Sequence, residues 1–517
     1  MIDRVRRVGG MCGLAVVVGL AVNTPLYAAV TLDIDFDSGS LDLAATTISS
    51  SGNTINLVGR DNFFGGDRWR WFYFRATGVQ DKTNLFNISS NFAGGAFTLE
   101  HTAMRYSYDN VNWFEFDNHT LTGGSYRFQN DTPFAQDEVY VAYSFPYPYA
   151  RTADKVSQWK QSPYVGQTIS SNTDLVIGQS PGGVDDLGRT IASRDMWAFK
   201  ITDDSVPSAG KKKIVFGASM HAGEVLSNWT LEGTIEFLIS DDPRAVELRK
   251  HAEFFVYPQL NPDGRFAGNN RATIQNPNQD PNGLWMPTKW QDKPDIKLTG
   301  EAMLADLQVA AGGSADYFID YHSTIWDPIG DDFMFIHEQL GHVADPFWQR
   351  FSALAPHVEW EQSGGIGSST LAAFGREFLG AEFDATFETM FLAGRDIQDY
   401  LTLGENVGIA FYEALARLAG DINADGFVGI EDLNIILGNW NQSVPLGDID
   451  AGDIGGIGDG FIGIDDLNVV LGNWNAGTPP GVPVGTAIPE PAAVGVMGMG
   501  VLGALNRKRC RARQPQN

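Results

Sequence analysis

From about residue 30 to 150, apolar residues come in short runs, many aromatic or β-branched, broken by Gly, Asn and Asp. Arg68-Trp69-Arg70-Trp71-Phe72-Tyr73-Phe74 and Val139-Tyr140-Val141-Ala142-Tyr143 have strand-like patterns, and turn clusters recur between such runs. That spacing predicts a β-sandwich over residues 30–155, with its aromatics packed between two sheets. From about Tyr164 the pattern changes. Residues 213–217 read as a short apolar strand and residues 225–239 as a helix, with Leu226, Trp229, Ile235 and Leu238 among its apolar positions. Residues 315–323 form another apolar strand-like run. Strands alternating with helices predict an α/β domain over 156–418 that binds ligands near its strand ends.

After Gly420 the chain repeats itself. Asp425-Gly426-Phe427 returns as Asp459-Gly460-Phe461, and LNIILGNWN from Leu433 returns as LNVVLGNWN from Leu467, both at an offset of 34. This is a duplicated loop–helix unit over 419–478. In its first copy Asp421, Asn423, Asp425, the Phe427 carbonyl and Asp432 take positions 1, 3, 5, 7 and 12 of an EF-hand-like loop, with Gly426 at position 6. Such a loop wraps oxygen ligands around calcium. The second copy keeps Asp459 and Asp466, but an insertion displaces its first ligands, so that Asp448 or Asp450 is expected to reach over it. The expectation is one or two calcium ions.

The two ends differ from the rest. Arg4, Arg6 and Arg7 precede an apolar run over 13–22, with small residues at Ala28 and Ala29. That layout predicts an export signal over 1–29. Residues 479–517 are rich in Pro and Gly, then carry Pro489-Glu490-Pro491, an apolar run and a basic tail, which is a sorting and retention layout. Together the two ends predict an exported protein, extracellular or at the surface of a Gram-negative-type bacterium.

Charge narrows the partners. The formal net charge is −27, which disfavours nucleic acid and anionic membranes. Cys12 and Cys510 are the two cysteines of the sequence, and both fall in the terminal segments. The folded part is therefore expected to hold no disulfide.

The chemistry concentrates in the middle of the chain. His221-Ala222-Gly223-Glu224 follows a strand, so that a His and a carboxylate three residues apart meet at one strand–helix turn. His322 ends another apolar strand. Two imidazoles and a carboxylate suit one Zn²⁺ and leave a fourth position open to water. His337-Glu338-Gln339-Leu340-Gly341-His342 is a poorer candidate, because a zincin helix needs its histidines at i and i+4.

Between His221 and Glu388 the residues resemble the M14 zinc metallocarboxypeptidases, and most of all their cytosolic-carboxypeptidase branch. The likeness is carried by His221-Ala222-Gly223-Glu224, Ser240-Asp241-Asp242-Pro243, Asn261-Pro262-Asp263-Gly264-Arg265, Gly268-Asn269-Asn270-Arg271 and Asp280-Pro281-Asn282. It spans roughly residues 60 to 400 and implies a mixed sheet preceded by that branch's N-terminal domain. By resemblance, His221, Glu224 and His322 hold zinc, and Arg271 polarises the scissile carbonyl. Asn282 helps hold the substrate's terminal carboxylate, and Glu388 is the general base. The family follows that Asn with a clamping Arg, whereas Gly283 stands here. Arg265, Lys289 and Arg376 are the alternatives for that cation. For the family's covering tyrosine, Trp360 and Phe374 are the nearby aromatics.

The repeat resembles a type I dockerin, which implies a cohesin-type partner. The C-terminal segment resembles a PEP-CTERM sorting signal, which implies an exosortase-type processing enzyme. The leading expectation is an exported zinc carboxypeptidase acting on a peptide or protein substrate. A peptidase-like surface protein that binds without cutting is the alternative, and a carbohydrate-active protein ranks below both.

Overall fold

A computed structural model describes residues 29–60, 71–89, 99, 101–169, 173–275, 279–324, 330–363, 369–445, 447–455 and 458–479. The export-like segment, apart from Ala29, and the sorting-like segment from residue 480 onward lie outside these residues. The chain divides into two compact units, residues 1–416 and 417–517.

The first unit opens with two five-stranded sheets. One runs Thr31–Asp33, Tyr73–Thr77, Val139–Ala142, Arg105–Ser107, Trp113–Glu115 in spatial order. The other runs Thr47–Ile48, Thr54–Leu57, Leu85–Ser89, Ser125–Gln129, Asn118–Thr122. Phe74, Phe86, Phe116 and Phe128 are buried in one shared core. Phe86 stacks on Phe128 at 5.2 Å, and Phe116 meets Phe128 edge-on at 4.8 Å. The aromatic-rich pattern is thus spent on packing.

Of the strand expected over 68–74, residues 68–70 lie outside the described residues, and among the described ones the strand begins at Tyr73. Trp71 gives its backbone N–H to Asn270 Oδ1 (3.0 Å) instead of to a neighbouring strand. The sandwich core is also continuous with Val225, Leu226 and Trp229, residues at the start of the next domain's central helix. A helix at Tyr149–Trp159 runs across residues 155 and 156, where the sequence pattern places a domain boundary.

Eight strands form the sheet of the following domain. They are β1 (Val165–Gly166), β2 (Phe199–Ile201), β3 (Lys212–Ala218), β4 (Ala252–Tyr257), β5 (Tyr317–Thr324), β6 (Phe333–Ile336), β7 (Glu359–Gln362) and β8 (Phe383–Met390). Their spatial order is β1-β2-β4-β3-β5-β8-β6-β7. The four central strands β4, β3, β5 and β8 are parallel, and β2 and β6 run antiparallel to them. The sheet is mixed, as the resemblance implied.

Helix α1 (Leu226–Ile239) packs on this sheet beside α3 (Ile397–Leu415), while α2 (Leu371–Leu379) lies against β5 and β8. Helix α1 is buried along most of its length, with Asn228, Thr230 and Glu232 among its buried residues, as happens to a helix enclosed by sheet and helix. Its approach to α3 is set by glycines. A Cβ at Gly404 would fall 1.8 Å from Thr230 O, and one at Gly233 would fall 2.0 Å from Leu401 O.

The second unit holds α4 (Ile430–Gly438) and α5 (Ile464–Gly472), each preceded by a loop. Val428 and Ile462, and likewise Ile436 and Val470, are equivalent across the repeat and share its core with Ile422. Phe427 bridges to Gly477 and Phe461 to Ser443, so each loop pairs with the chain that follows the other helix.

In the first loop Asp421 accepts from the N–H groups of Asp425 and Gly426, and Asp432 from those of Ile422, Asn423 and Gly429. The second loop repeats this around Asp453 and Asp466. Its first acid is therefore Asp453, which corrects the expectation of Asp448 or Asp450. The loop is longer between Asp453 and Asp459 than between Asp421 and Asp425. The extra residues fall inside the loop and displace nothing before it.

Candidate metal centre

The parallel strands bring three side chains to one point. Strand β3 ends at Ala218, and the following turn carries His221 and Glu224 into α1. Strand β5 carries His322, and β8 places Glu388 in direct register with it. His221 Nδ1 lies 2.8 Å from Glu224 Oε1, and His322 Nδ1 lies 2.7 Å from Glu224 Oε2. All three residues are buried, and their donor atoms lie within 4.8 Å of one another.

The outer nitrogens are also engaged. His221 Nε2 lies 2.8 Å from Asp280 Oδ1, and His322 Nε2 lies 2.8 Å from Asp320 Oδ2. A carboxylate on the far nitrogen fixes the tautomer and leaves Nδ1 free to ligate, which is the usual partnership around a metal-bound imidazole. Sequence patterning singles out neither acid. Asp320 does carry a signal, since it sits two residues before His322 and so on the same face of β5. Asp320→Asn is expected to weaken zinc binding by about 10–100-fold, measured by competition with a chromophoric chelator.

Charge in the site is strongly coupled. Burial alone would raise the Glu224 carboxyl, but His221, His322 and Arg271 hold it well below the carboxylate range. Burial likewise opposes ionisation of Asp280, and Arg271 and His221 overcome it. For Glu388 burial wins, reinforced by the Glu224 charge, and pushes its carboxyl up to about 8. Glu388 Oε2 is buried and, among the described residues, has no hydrogen-bond partner. Two imidazoles, a low-pKa carboxylate, carboxylates behind the imidazoles and an unsatisfied acid alongside suit a divalent zinc ion.

The remaining expected residues are placed as follows. Arg271 donates from Nη1 to Glu224 Oε1 (2.7 Å) and from Nη2 to Asp280 Oδ2 (2.9 Å), which puts its guanidinium at the ligand set. Asn282 accepts the Leu371 N–H on Oδ1 (2.8 Å), and its Nδ2 lies 3.3 Å from His322 Nε2. Gly283 is exposed, and among the described residues a Cβ there would meet nothing within 4 Å.

Two alternatives for the missing cation do not reach the site. Arg265 is fully buried with its guanidinium on Tyr147 O, Ser219 and Asn228. Arg376 bonds Asp384 and His337 (both 2.7 Å). Lys289 is exposed. Phe374 is buried between Trp290 and Phe378, which removes it as an aromatic cover for the substrate. Residues 364–368, beside that region, are not among those described.

His337 and His342 do not share a helix face. A turn separates them, and Arg376 occupies His337 Nε2. Among the described residues one other cluster, Asp331, Asp332 and His357, has metal-like spacing. There Arg395 bonds both carboxylates and the Met390 N–H takes the remaining Asp332 oxygen, so its charges are already compensated.

Comparison with known proteins agrees with this geometry. Residues 179–322 match the zinc carboxypeptidase family, peptidase M14, and residues 32–144 match the cytosolic carboxypeptidase N-terminal domain. Human cytosolic carboxypeptidase 2 is 25% identical over 289 residues, covering 52% of this chain and 30% of that protein. Mouse cytosolic carboxypeptidase 6 is 25% identical over 300 residues, covering 54% and 52% respectively. The chain thus spans about a third to a half of these relatives.

Among solved structures, a metallo-carboxypeptidase from Burkholderia cenocepacia superposes with a TM-score of 0.60 at 22% identity, covering 74% of this chain and 98% of that one. A Pseudomonas aeruginosa metallo-carboxypeptidase gives 0.56 at 21%, covering 74% and 98%. At such identities the likeness establishes the fold.

The relatives also correct the expectation of an exported protein. Those matched are cytosolic carboxypeptidases, and the N-terminal domain matched here is theirs. Among the described residues no helix is long and apolar enough to cross a membrane. The metal-type site, the mixed sheet and the paired domain matches agree, and over residues 179–322 this chain matches the M14 zinc carboxypeptidase family.

Proposed function

We propose that the protein is a zinc-dependent metallocarboxypeptidase that hydrolyses a C-terminal peptide bond, or a related amide, with Glu388 as general base. The reading rests on the convergence of His221 Nδ1, the Glu224 carboxylate and His322 Nδ1 beside the unpartnered Glu388 Oε2. Zinc, when bound, supplies Lewis acidity and a water that loses its proton near neutral pH. Glu388 accepts that proton and returns it to the leaving amine. Arg271 turns its guanidinium from the ligand carboxylate toward the substrate carbonyl oxygen, where negative charge develops. Asn282, held through Oδ1 by the Leu371 N–H, offers Nδ2 to the end of the substrate.

The experiment is to incubate the purified protein with defined peptides and read the products by mass spectrometry. Ladders of single C-terminal losses, stopped by a chelator and restored by Zn²⁺, support the proposal. Internal cuts, or no cleavage by zinc-loaded protein, overturn it.

Gly283 gives a second test. Its open surroundings leave room for a side chain, and a bidentate Arg–carboxylate pair is among the stronger charge-assisted contacts. Gly283→Arg is expected to lower KM for peptides with a free C-terminal carboxylate by about tenfold. Steady-state kinetics should show no such gain for the same peptides carrying a C-terminal amide.

For the second unit we propose calcium binding by Asp421, Asn423, Asp425, the Phe427 carbonyl and Asp432, and by Asp453, Asp459 and Asp466. The like placement of Asp421 and Asp453 in their loops supports this. Its likeness to type I dockerins makes a cohesin-type protein the proposed partner of this unit.

A further inference from the structure

The turn that presents His221 begins with an unusual residue. Ser219 has φ 62°, in the left-handed region, and is buried. A non-glycine residue takes this conformation only when its surroundings impose it. Two side chains hold Ser219. Its hydroxyl donates to Asn228 Oδ1 (2.9 Å), and Arg265 Nη2 donates both to Ser219 Oγ and to Asn228 Oδ1 (2.8 Å). Asn228 is itself tied down, donating from Nδ2 to Pro258 O (2.8 Å).

Arg265 is the odd member. It sits on the helix Pro262–Ala267, is fully buried, and donates from Nη1 to Tyr147 O (2.7 Å). Its hydrogen-bond acceptors are neutral oxygens, with no carboxylate within salt-bridge distance among the described residues. Burial depresses its guanidinium to about 10. A buried cation without a paired anion is costly, and an apolar side chain of like volume would cost less. Through space, Asp37 first and Glu224 more weakly offset that depression of the guanidinium.

We propose that Arg265 is a positioning residue of the metal centre: it holds Ser219 in the left-handed conformation that turns the chain out of β3 and aims His221 at the other two ligands. The inference rests on the zinc reading above. Arg265 touches no ligand atom and no substrate, so its effect passes through Ser219 and the backbone of the turn. Glycine adopts positive φ without steric cost, and at position 219 it would make the constraint unnecessary.

The test uses four forms of the full chain: wild type, Arg265→Met, Ser219→Gly and the double variant. Zinc affinity is measured by competition with a chromophoric chelator, and melting temperature is recorded without metal. Arg265→Met is expected to weaken zinc binding by about 10–100-fold, the range for residues that orient ligands. Ser219→Gly should leave affinity within a few-fold of wild type, and the double variant should recover most of the loss.

An Arg265→Met protein that fails to fold while the double variant folds also supports the proposal. Wild-type zinc affinity in Arg265→Met overturns it, as does a double variant no better than Arg265→Met or one that does not fold. In those cases Arg265 serves only the junction with Tyr147. If wild type itself binds no zinc, the zinc reading falls and takes this proposal with it.

Discussion

Glu388→Gln is expected to lower kcat/KM by about 10²–10⁴-fold, the usual contribution of a general base, with one zinc per chain retained. The two side chains have nearly the same shape, so the substitution removes a proton acceptor and little else. Glu388 is not among the residues whose donor atoms converge on the metal position, so zinc affinity should stay near wild type. Its register with His322 sets it beside that position.

The pH profile follows from the same environment. A base works when deprotonated, so activity rises with pH through the carboxyl's pKa. Burial and the Glu224 charge put that value near 8 without metal, and a bound divalent cation draws it lower by its own charge. The acid limb of kcat/KM should therefore fall below 8 in wild type and vanish in Glu388→Gln. A variant that keeps both full activity and the limb would show that another group takes the proton.

Arg271→Met should lower kcat by about 10²–10³-fold, as loss of one oxyanion donor does elsewhere. In the protein without substrate the guanidinium rests on Glu224 and Asp280, beside the ligand set, and needs only to turn toward the place where charge will develop. A contact made chiefly in the transition state shows itself as equal falls in kcat and kcat/KM, with KM steady. A rise in KM with kcat unchanged would assign Arg271 to substrate binding instead. Zinc content must be measured in parallel, because removing the cation leaves Glu224 and Asp280 less compensated. Lysine should restore little, since it cannot present the planar pair of donors.

Much of the metal centre is legible in local sequence pattern. The His-x-x-Glu turn after an apolar strand, and a second apolar strand ending in His322, are short-range signals that survive folding because parallel strands deliver their C-terminal ends to one place. The repeat is equally plain from its spacing, but the ligands of its second loop are not. An insertion inside a loop and one before it look alike in sequence. Backbone N–H groups separate the two, since they converge on Asp453 and not on Asp448 or Asp450.

The features that sequence hides are non-local. Asp280 meets His221 across 59 residues and Arg265 meets Ser219 across 46; neither pairing has a periodic signature. By sequence Arg265 is a candidate for gripping substrate, and only its burial excludes it. In the run expected as a strand at 68–74, Trp71 lies outside the strand that begins at Tyr73, its N–H claimed by Asn270, a partner from the next domain. The export reading rests on terminal composition, and the cytosolic relatives overturn it.

Trp71 and the shared core have one more consequence. A Cβ on Gly223, inside the His-x-x-Glu turn, would collide with Asn270 O and the Trp71 side chain, and Val225, Leu226 and Trp229 belong to the sandwich's own core. The sandwich is therefore one wall of the mould in which the metal turn sets. Any free energy released when a cation or substrate tightens that turn is shared with the sandwich by mass action. Occupancy of the catalytic-type site is thereby linked to the thermal endurance of a domain that contributes no ligand to it.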